Sequence, residues 1–246
     1  MKIGIIGTGM IGATLAERLA GAGHDVAVAN SRGPKTIEGK ALSTGARAVE
    51  ASDVAAGVDA LVVSVPLNRL SDIASLVRDA PESAVVLDTS NYYPQRDGEI
   101  AELESGQVES LWVSEQLGRP VVKAWNAIGA QSFADRATEP GTAGRIAIPV
   151  AGDDSAAKAL AMTLVEDTGF DAVDSGTLAE SWRQQPGTPA YCTDRTAEEL
   201  PSFLAAADKD RSPRRRDIVF AAVAERSEAE GSVSSDRFAR LGRAVY

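Results

Sequence analysis

Short apolar runs and longer amphipathic stretches alternate along most of the chain. Lys2-Ile3-Gly4-Ile5-Ile6 reads as a buried strand, and residues 13–20 follow as a helix with Leu15, Ala16 and Leu19 on one side. Residues 24–29 form the next strand. Residues 60–65 form another, stopped by Pro66, and residues 67–77 carry Leu70, Ile73, Ala74 and Val77 at helical spacing. The pattern then predicts a strand at 84–87, a helical region over 100–117 and a strand at 121–124. Residues 146–150 are strand-like, but Pro149 confines them to an edge. Residues 155–168 are helical, with Ala159, Met162 and Val165 on the core face, and 170–173 return to the sheet. Short strands alternating with helices imply parallel βαβ units and an α/β fold.

The pattern changes after residue 182. Gln184-Gln185-Pro186-Gly187-Thr188-Pro189 is rich in chain breakers, and residues 197–208, 214–225 and 236–245 read as short helices without an intervening strand. The expected organisation is therefore residues 1–182 as one domain and 183–246 as a loop and helical C-terminal extension. That extension is expected to cover a site, to make a homodimer, or both.

The turn after the first strand carries the chemistry. Gly7-Thr8-Gly9-Met10-Ile11-Gly12 is a GxGxxG sequence set between a strand and a helix, the arrangement of a dinucleotide-binding fingerprint. Its first glycine permits a tight turn, its second lets a pyrophosphate approach the backbone, and its third lets helix and strand pack closely. Free N–H groups at the helix start then hold phosphate. The fold expected is thus a Rossmann-type, doubly wound, mainly parallel sheet.

The end of the second strand distinguishes the dinucleotide. An NAD enzyme usually places Asp or Glu there, on the ribose 2′-hydroxyl. This chain reads Asn30-Ser31-Arg32-Gly33-Pro34-Lys35, with no carboxylate to repel a 2′-phosphate. Asn30, Ser31, Arg32 and Lys35 offer hydroxyl, amide and cationic groups, and a guanidinium matches phosphate oxygens well. NADP(H) is expected in preference to NAD(H).

Composition narrows the classes. A net charge of −10 disfavours generic nucleic-acid binding. No run is long enough to span a membrane, and the single cysteine, Cys192, excludes an intrachain disulfide. A cytoplasmic protein with a small-molecule acceptor as partner is expected. The one histidine, His24, falls in the turn before the second strand, remote from the carboxyl edge, so no histidine relay serves that edge. No Cys/His cluster suggests a metal. Arg214-Arg215-Arg216 opens a helix after Pro213 and reads first as a solvated face.

In open α/β sheets ligands lie beyond the carboxyl ends of the strands. Besides the glycine turn, that rule selects Val65, Pro66 and Leu67, then Ser90 and Asn91, then Trp125, Asn126, Ala127 and Ile128. Asn91 and Asn126 are the polar groups best placed to orient a carboxamide or second substrate. Trp125 and Ile128 are expected as an apolar wall against the reacting ring. With no evident general acid, an acceptor ring that takes hydride without protein help fits best, such as a flavin or deazaflavin.

These residues resemble the NADP-dependent coenzyme F420 oxidoreductase family, which includes the NADPH-oxidising domain of the STEAP metalloreductases. The resemblance runs from Met1 to about Leu178. It rests on the glycine turn, Asn30-Ser31-Arg32, Ser64-Val65-Pro66, Asp88-Thr89-Ser90-Asn91, Val122-Lys123-Ala124-Trp125-Asn126, Val150-Ala151-Gly152-Asp153-Asp154 and Asp174-Ser175-Gly176-Thr177-Leu178. It implies NADPH on Thr8 to Ile11, its 2′-phosphate on Ser31, Arg32 and Lys35, and nicotinamide contacts from Val65, Pro66 and the 125–128 loop. It further implies F420 or FMN/FAD over that loop near residues 175–178, and direct hydride transfer. Beyond Leu178 the chain departs from the family pattern and looks like a bacterial subgroup.

Two other functions remain open from sequence. One is an NADPH-dependent reductase of a small carbonyl or imine, with Tyr92, Tyr93, Tyr191 or Lys123 as proton donor. The other is a non-catalytic NADP(H)-binding regulator whose helical extension is an interaction surface.

Overall fold

The computed structural model describes residues 1–37, 39–230 and 233–246. β1 (Lys2–Ile6), α1 (Met10–Gly21), β2 (Asp25–Ala29) and β3 (Arg47–Ala48) form the first half of the sheet. β4 (Ala60–Val63), α2 (Leu70–Arg78), β5 (Val85–Asp88), the single turns α3 (Pro94–Asp97) and α4 (Ala101–Glu104), α5 (Glu109–Leu117) and β6 (Val121–Lys123) form the second. The six strands are parallel and ordered β3-β2-β1-β4-β5-β6, so the strand order reverses between β1 and β4. That reversal opens the crevice in which such folds take a ligand.

Alternation along the strands builds a core on each face. Ile3, Ile5, Ala60 and Val62 pack with Leu15 and Leu19 of α1. Leu61 and Val63 face the other way, against Leu70, Val77, Val113 and Leu117 of α2 and α5. Both faces are covered, which is why the strands read as nearly continuous apolar runs.

α6 (Ala130–Asp135), β7 (Ala147–Val150), α7 (Ser155–Asp167) and β8 (Asp171–Asp174) follow. The sequence pattern returned these strands to the main sheet; the structure corrects this. β7 and β8 make their own two-stranded parallel sheet, and the junction is one antiparallel bridge in which Lys123 and Ala151 exchange backbone bonds of 2.8 and 3.0 Å. Pro149 lacks the N–H that a second ladder needs, so β7 remains at an edge as its proline predicts. The helical region expected over 100–117 is divided by Gly106, whose φ of +97° ends α4.

Beyond β8, the described residues contain α8 (Leu200–Ala205), α9 (Ser212–Glu230) and α10 (Ser235–Val245), and no strand. α9 begins earlier than its apolar pattern suggests because Pro213 lies in the first turn, where a missing N–H breaks no helical bond. The breaker-rich segment before α8 is not a surface loop. Gln184, Thr188, Ala190, Tyr191 and Thr193 are buried, and the Cys192 amide donates to the Ala127 carbonyl at 2.8 Å. Gly187 has φ +92°, and a side chain there would strike the Ser212 carbonyl oxygen, so this glycine lets the start of α9 pack directly on the segment.

Candidate functional site

The glycine turn occupies the crevice at the β1–β4 reversal. Gly7 has φ +108°, donates to the Ala29 carbonyl at 2.8 Å, and would collide with the Ser64 carbonyl if it carried a Cβ. A Cβ on Gly12 would strike the Gly7 carbonyl. Both are glycine because the protein itself leaves no space. Gly9 differs: its backbone is extended, with φ −70° and ψ −175°, and no protein atom lies within 4 Å of a Cβ built there. The fold makes no demand for glycine at this position; a ligand approaching the backbone would. Gly9 caps α1 without a side-chain hydrogen bond, and the first turn of α1 holds no acidic residue, so its leading amides are open to an anion. Met10, Ile11 and Gly12 supply those amides. A groove of about 440 Å³ opens here, lined by Thr8, Gly9, Met10, Ala13, Lys40 and Gln131, with the Met10 side chain 76% exposed.

The loop after β2 is tied to this turn by Asn30. Its Nδ2 donates to Thr8 Oγ1 at 3.1 Å and to Thr36 Oγ1 at 3.0 Å, and its Oδ1 accepts the Arg32 amide at 2.8 Å. Asn30 is thus spent on bracing, and the free ends belong to its neighbours. Ser31, Arg32 and Lys35 are exposed, and among the described residues neither cation makes an ion pair. They stand on one loop beside the groove, on the side where β2 ends.

Further along the carboxyl edge the loops are packed and mutually satisfied. Val65 is half-buried, Pro66 exposed and Leu67 buried. Ser90 is buried, its Oγ donating to Asp88 Oδ1 at 2.6 Å. Asn126 Nδ2 donates to Asn91 Oδ1 at 3.0 Å and to the Gln184 carbonyl at 2.8 Å. Gln184 Nε2 returns a bond to Asn126 Oδ1 at 2.9 Å and reaches the Pro149 carbonyl at 3.2 Å, while Ser175 Oγ donates to Gln184 Oε1 at 2.6 Å. Asn91 donates to the Asn126 carbonyl at 2.9 Å and keeps one amide hydrogen without a partner among the described residues. The network joins the loops after β5, β6 and β8 to the start of the extension. The Asn126 side-chain amide therefore has no hydrogen left for a substrate.

The apolar wall expected of Trp125 and Ile128 is corrected by their burial. Trp125 is 1% exposed, and its Nε1 donates to Thr168 Oγ1 at 3.2 Å within the core of α1, α6 and α7; Ile128 packs in the same core. Trp125 also adopts φ +56°, unusual for a non-glycine residue. Ala127 is buried against Tyr191 and Cys192.

Sequence named Lys123, Tyr92, Tyr93 and Tyr191 only as candidate proton donors, and neither their partners nor Glu109 were legible from it. Lys123 and Asp88 are register partners on β6 and β5, both side chains fully buried, with Nζ 2.7 Å from Asp88 Oδ2 and 2.6 Å from the Ser90 carbonyl. The only signal in the chain is a charge at the end of each apolar strand. Glu109, at the start of α5, is buried and accepts the Tyr92 amide at 3.1 Å. Burial pushes its carboxyl up to about 7, against the pull of Lys123 and the bonds from Tyr92 and Gln185. Tyr93 and Tyr191 share one hydroxyl bond of 2.6 Å, and Tyr92 OH contacts Glu104 at 2.8 Å. Burial raises the Tyr93, Tyr191 and Cys192 groups well above their ordinary values. His24 sits apart at the opposite edge, 2.9 Å from Asp167. Among the described residues no His, Cys, Asp and Glu cluster could hold a metal, and no helix is long and apolar enough to cross a membrane.

A parallel sheet reversing at a glycine turn, with a groove above it, defines a Rossmann-type dinucleotide-binding protein. Residues 2–92 match the family described as NADP oxidoreductase coenzyme F420-dependent. The hypothetical protein SMa0349 from Sinorhizobium meliloti is 32% identical, with a TM-score of 0.67 over 78% of this chain and 93% of that one. A protein from Arthrobacter sp. FB24, named a “putative f420 dependent nadp-reductase”, is 28% identical with a TM-score of 0.56, over 74% of this chain and 87% of that one. The Escherichia coli (strain K12) protein YjhV is 47% identical over 88 residues, 36% of this chain, and the match spans 64% of YjhV. The chain belongs to the NADP oxidoreductase, coenzyme F420-dependent family.

Proposed function

We propose that this protein is an oxidoreductase that binds NADP(H) on the glycine turn and exchanges a hydride with a deazaflavin (F420) or a flavin. The observation that carries the dinucleotide site is Gly9, a glycine the fold does not require, beside open helix amides and an exposed Arg32. In this reading the amides of Met10, Ile11 and Gly12 hold the pyrophosphate, while Ser31, Arg32 and Lys35 hold the 2′-phosphate. Val65, Pro66 and Asn91 are the groups left open along the edge to orient the nicotinamide. The Asn126–Gln184 network keeps that edge in place and excludes water.

The chemistry NADP(H) supplies when bound is transfer of a hydride between its nicotinamide and an acceptor ring, with one proton exchanged with water. A self-sufficient acceptor is supported by how the alternative donors are used. Lys123 is locked to Asp88, Tyr92 to Glu104, and Tyr93 to Tyr191. None of these side chains lines the groove at the glycine turn, which weakens the carbonyl or imine reductase reading. The family match and the name of the Arthrobacter relative support F420 over other rings.

The test is NADPH oxidation by purified protein, followed by absorbance, with F420, FMN, FAD and a panel of aldehydes and imines. Turnover with F420 or a flavin that survives Tyr93→Phe is the expected result. Turnover confined to carbonyls or imines and abolished by Tyr93→Phe would overturn it.

A further inference from the structure

A second recess lies away from the dinucleotide groove and shares no lining residue with it. It has a volume of about 80 Å³ and is lined by Tyr92 after β5, Glu109 of α5, Trp182 and Gln185 where the extension begins, and Lys209 and Arg216 around the start of α9. Arg216 is 7% exposed. Its Nε donates to Asp217 Oδ1 at 2.9 Å, and its guanidinium carbon lies 5.3 Å from the Tyr92 ring centroid. Its two terminal nitrogens make no hydrogen bond to any described residue. The residue is nine-tenths buried, yet its terminal nitrogens are not among the sealed, unpaired atoms of the core, so the guanidinium lines the recess with donors that an acceptor there can take.

We propose that this recess binds a small carboxylate, gripped by Arg216 and flanked by Lys209, with Trp182 and Tyr92 as its apolar walls. The parallel donors of Arg216 match the two oxygens of a carboxylate. The volume exceeds the share of one water, about 30 Å³, and admits a group of a few non-hydrogen atoms. Lys209 is exposed beside it and adds a second positive charge at the mouth. Glu109 is the one acidic lining residue, and burial keeps its carboxyl protonated below about pH 7, so it adds little repulsion there. Asp217 neutralises only the Nε side of Arg216. The inference stands independently of the dinucleotide reading.

The experiment is an acetate titration at pH 6, read by tryptophan fluorescence, with chloride at equal ionic strength as reference. The expected result is a saturable change that Trp182→Phe removes. Arg216→Gln should weaken it about tenfold or more, Arg216→Lys should restore part of it, and Lys209→Gln should weaken it a few-fold, about threefold. A response that matches chloride, or a saturable one unaltered by Arg216→Gln, overturns the proposal. If Arg216→Gln fails to fold by thermal melt, Lys209→Gln decides, and an unchanged titration there overturns it equally.

Discussion

At one end of the carboxyl edge Gly9 has no protein atom within 4 Å of its missing side chain, and Ser31, Arg32 and Lys35 lie exposed, neither cation ion-paired among the described residues. At the other end Asn126 and Gln184 engage both hydrogens of each amide, and Lys123 is fully buried against Asp88. The first region is open, and in the proposed function a ligand supplies its contacts. The second is complete by itself. A change at the open end should therefore alter binding and spare stability, while a change at the closed end should cost stability first.

The largest effect should come from breaking the closed end. Lys123→Met leaves Asp88 charged and buried, and should cost about 3–5 kcal/mol, seen as a fall of about 10 °C in the thermal midpoint. At the open end Gly9→Val should weaken NADPH binding about 100-fold while the thermal midpoint of the free protein holds. Gly12→Ala, three residues away, reverses that signature because its Cβ meets the Gly7 carbonyl; a loss of about 1–3 kcal/mol of stability is expected. Equal stability loss at Gly9 and Gly12 would erase the distinction between ligand-required and fold-required glycine.

Arg32→Asp should weaken NADPH binding about 10- to 100-fold by fluorescence titration and change NADH binding little. The smallest effect concerns Glu109. Its folded value near 7 lies above its unfolded one, so the folded protein binds the extra proton and this group's stabilisation is present in acid. The contribution is lost as pH rises through about 7. Thermal melts from pH 5 to pH 8 should decline more steeply for the wild type than for Glu109→Gln.

Much of the fold was legible because its causes are local. The spacing of Leu15 and Leu19, the runs at β1 and β4, and the glycines at 7 and 12 each state a requirement within a few neighbouring residues. The exposure of Arg32 and Lys35 has the same local cause, since a charged loop at the end of a strand needs no distant partner. The segment over 184–193 misled because its two prolines and one glycine read as a loop. Its burial follows from acceptors and donors supplied by Asn126, Pro149 and Ser175, which no local pattern reveals.

By itself the sequence determined the alternation of strands and helices, the glycine turn and the absence of a carboxylate after β2. The tertiary structure decided that Trp125 serves the core, that Asn30 and Asn126 act as braces, and that Arg216 lines a recess with Glu109 and Trp182. The division has a physical origin. Hydrophobic periodicity and backbone freedom are properties of neighbouring residues. Satisfaction of a buried polar group depends on a partner, and the separation of 35 positions from Asp88 to Lys123 shows how far along the chain that partner can lie.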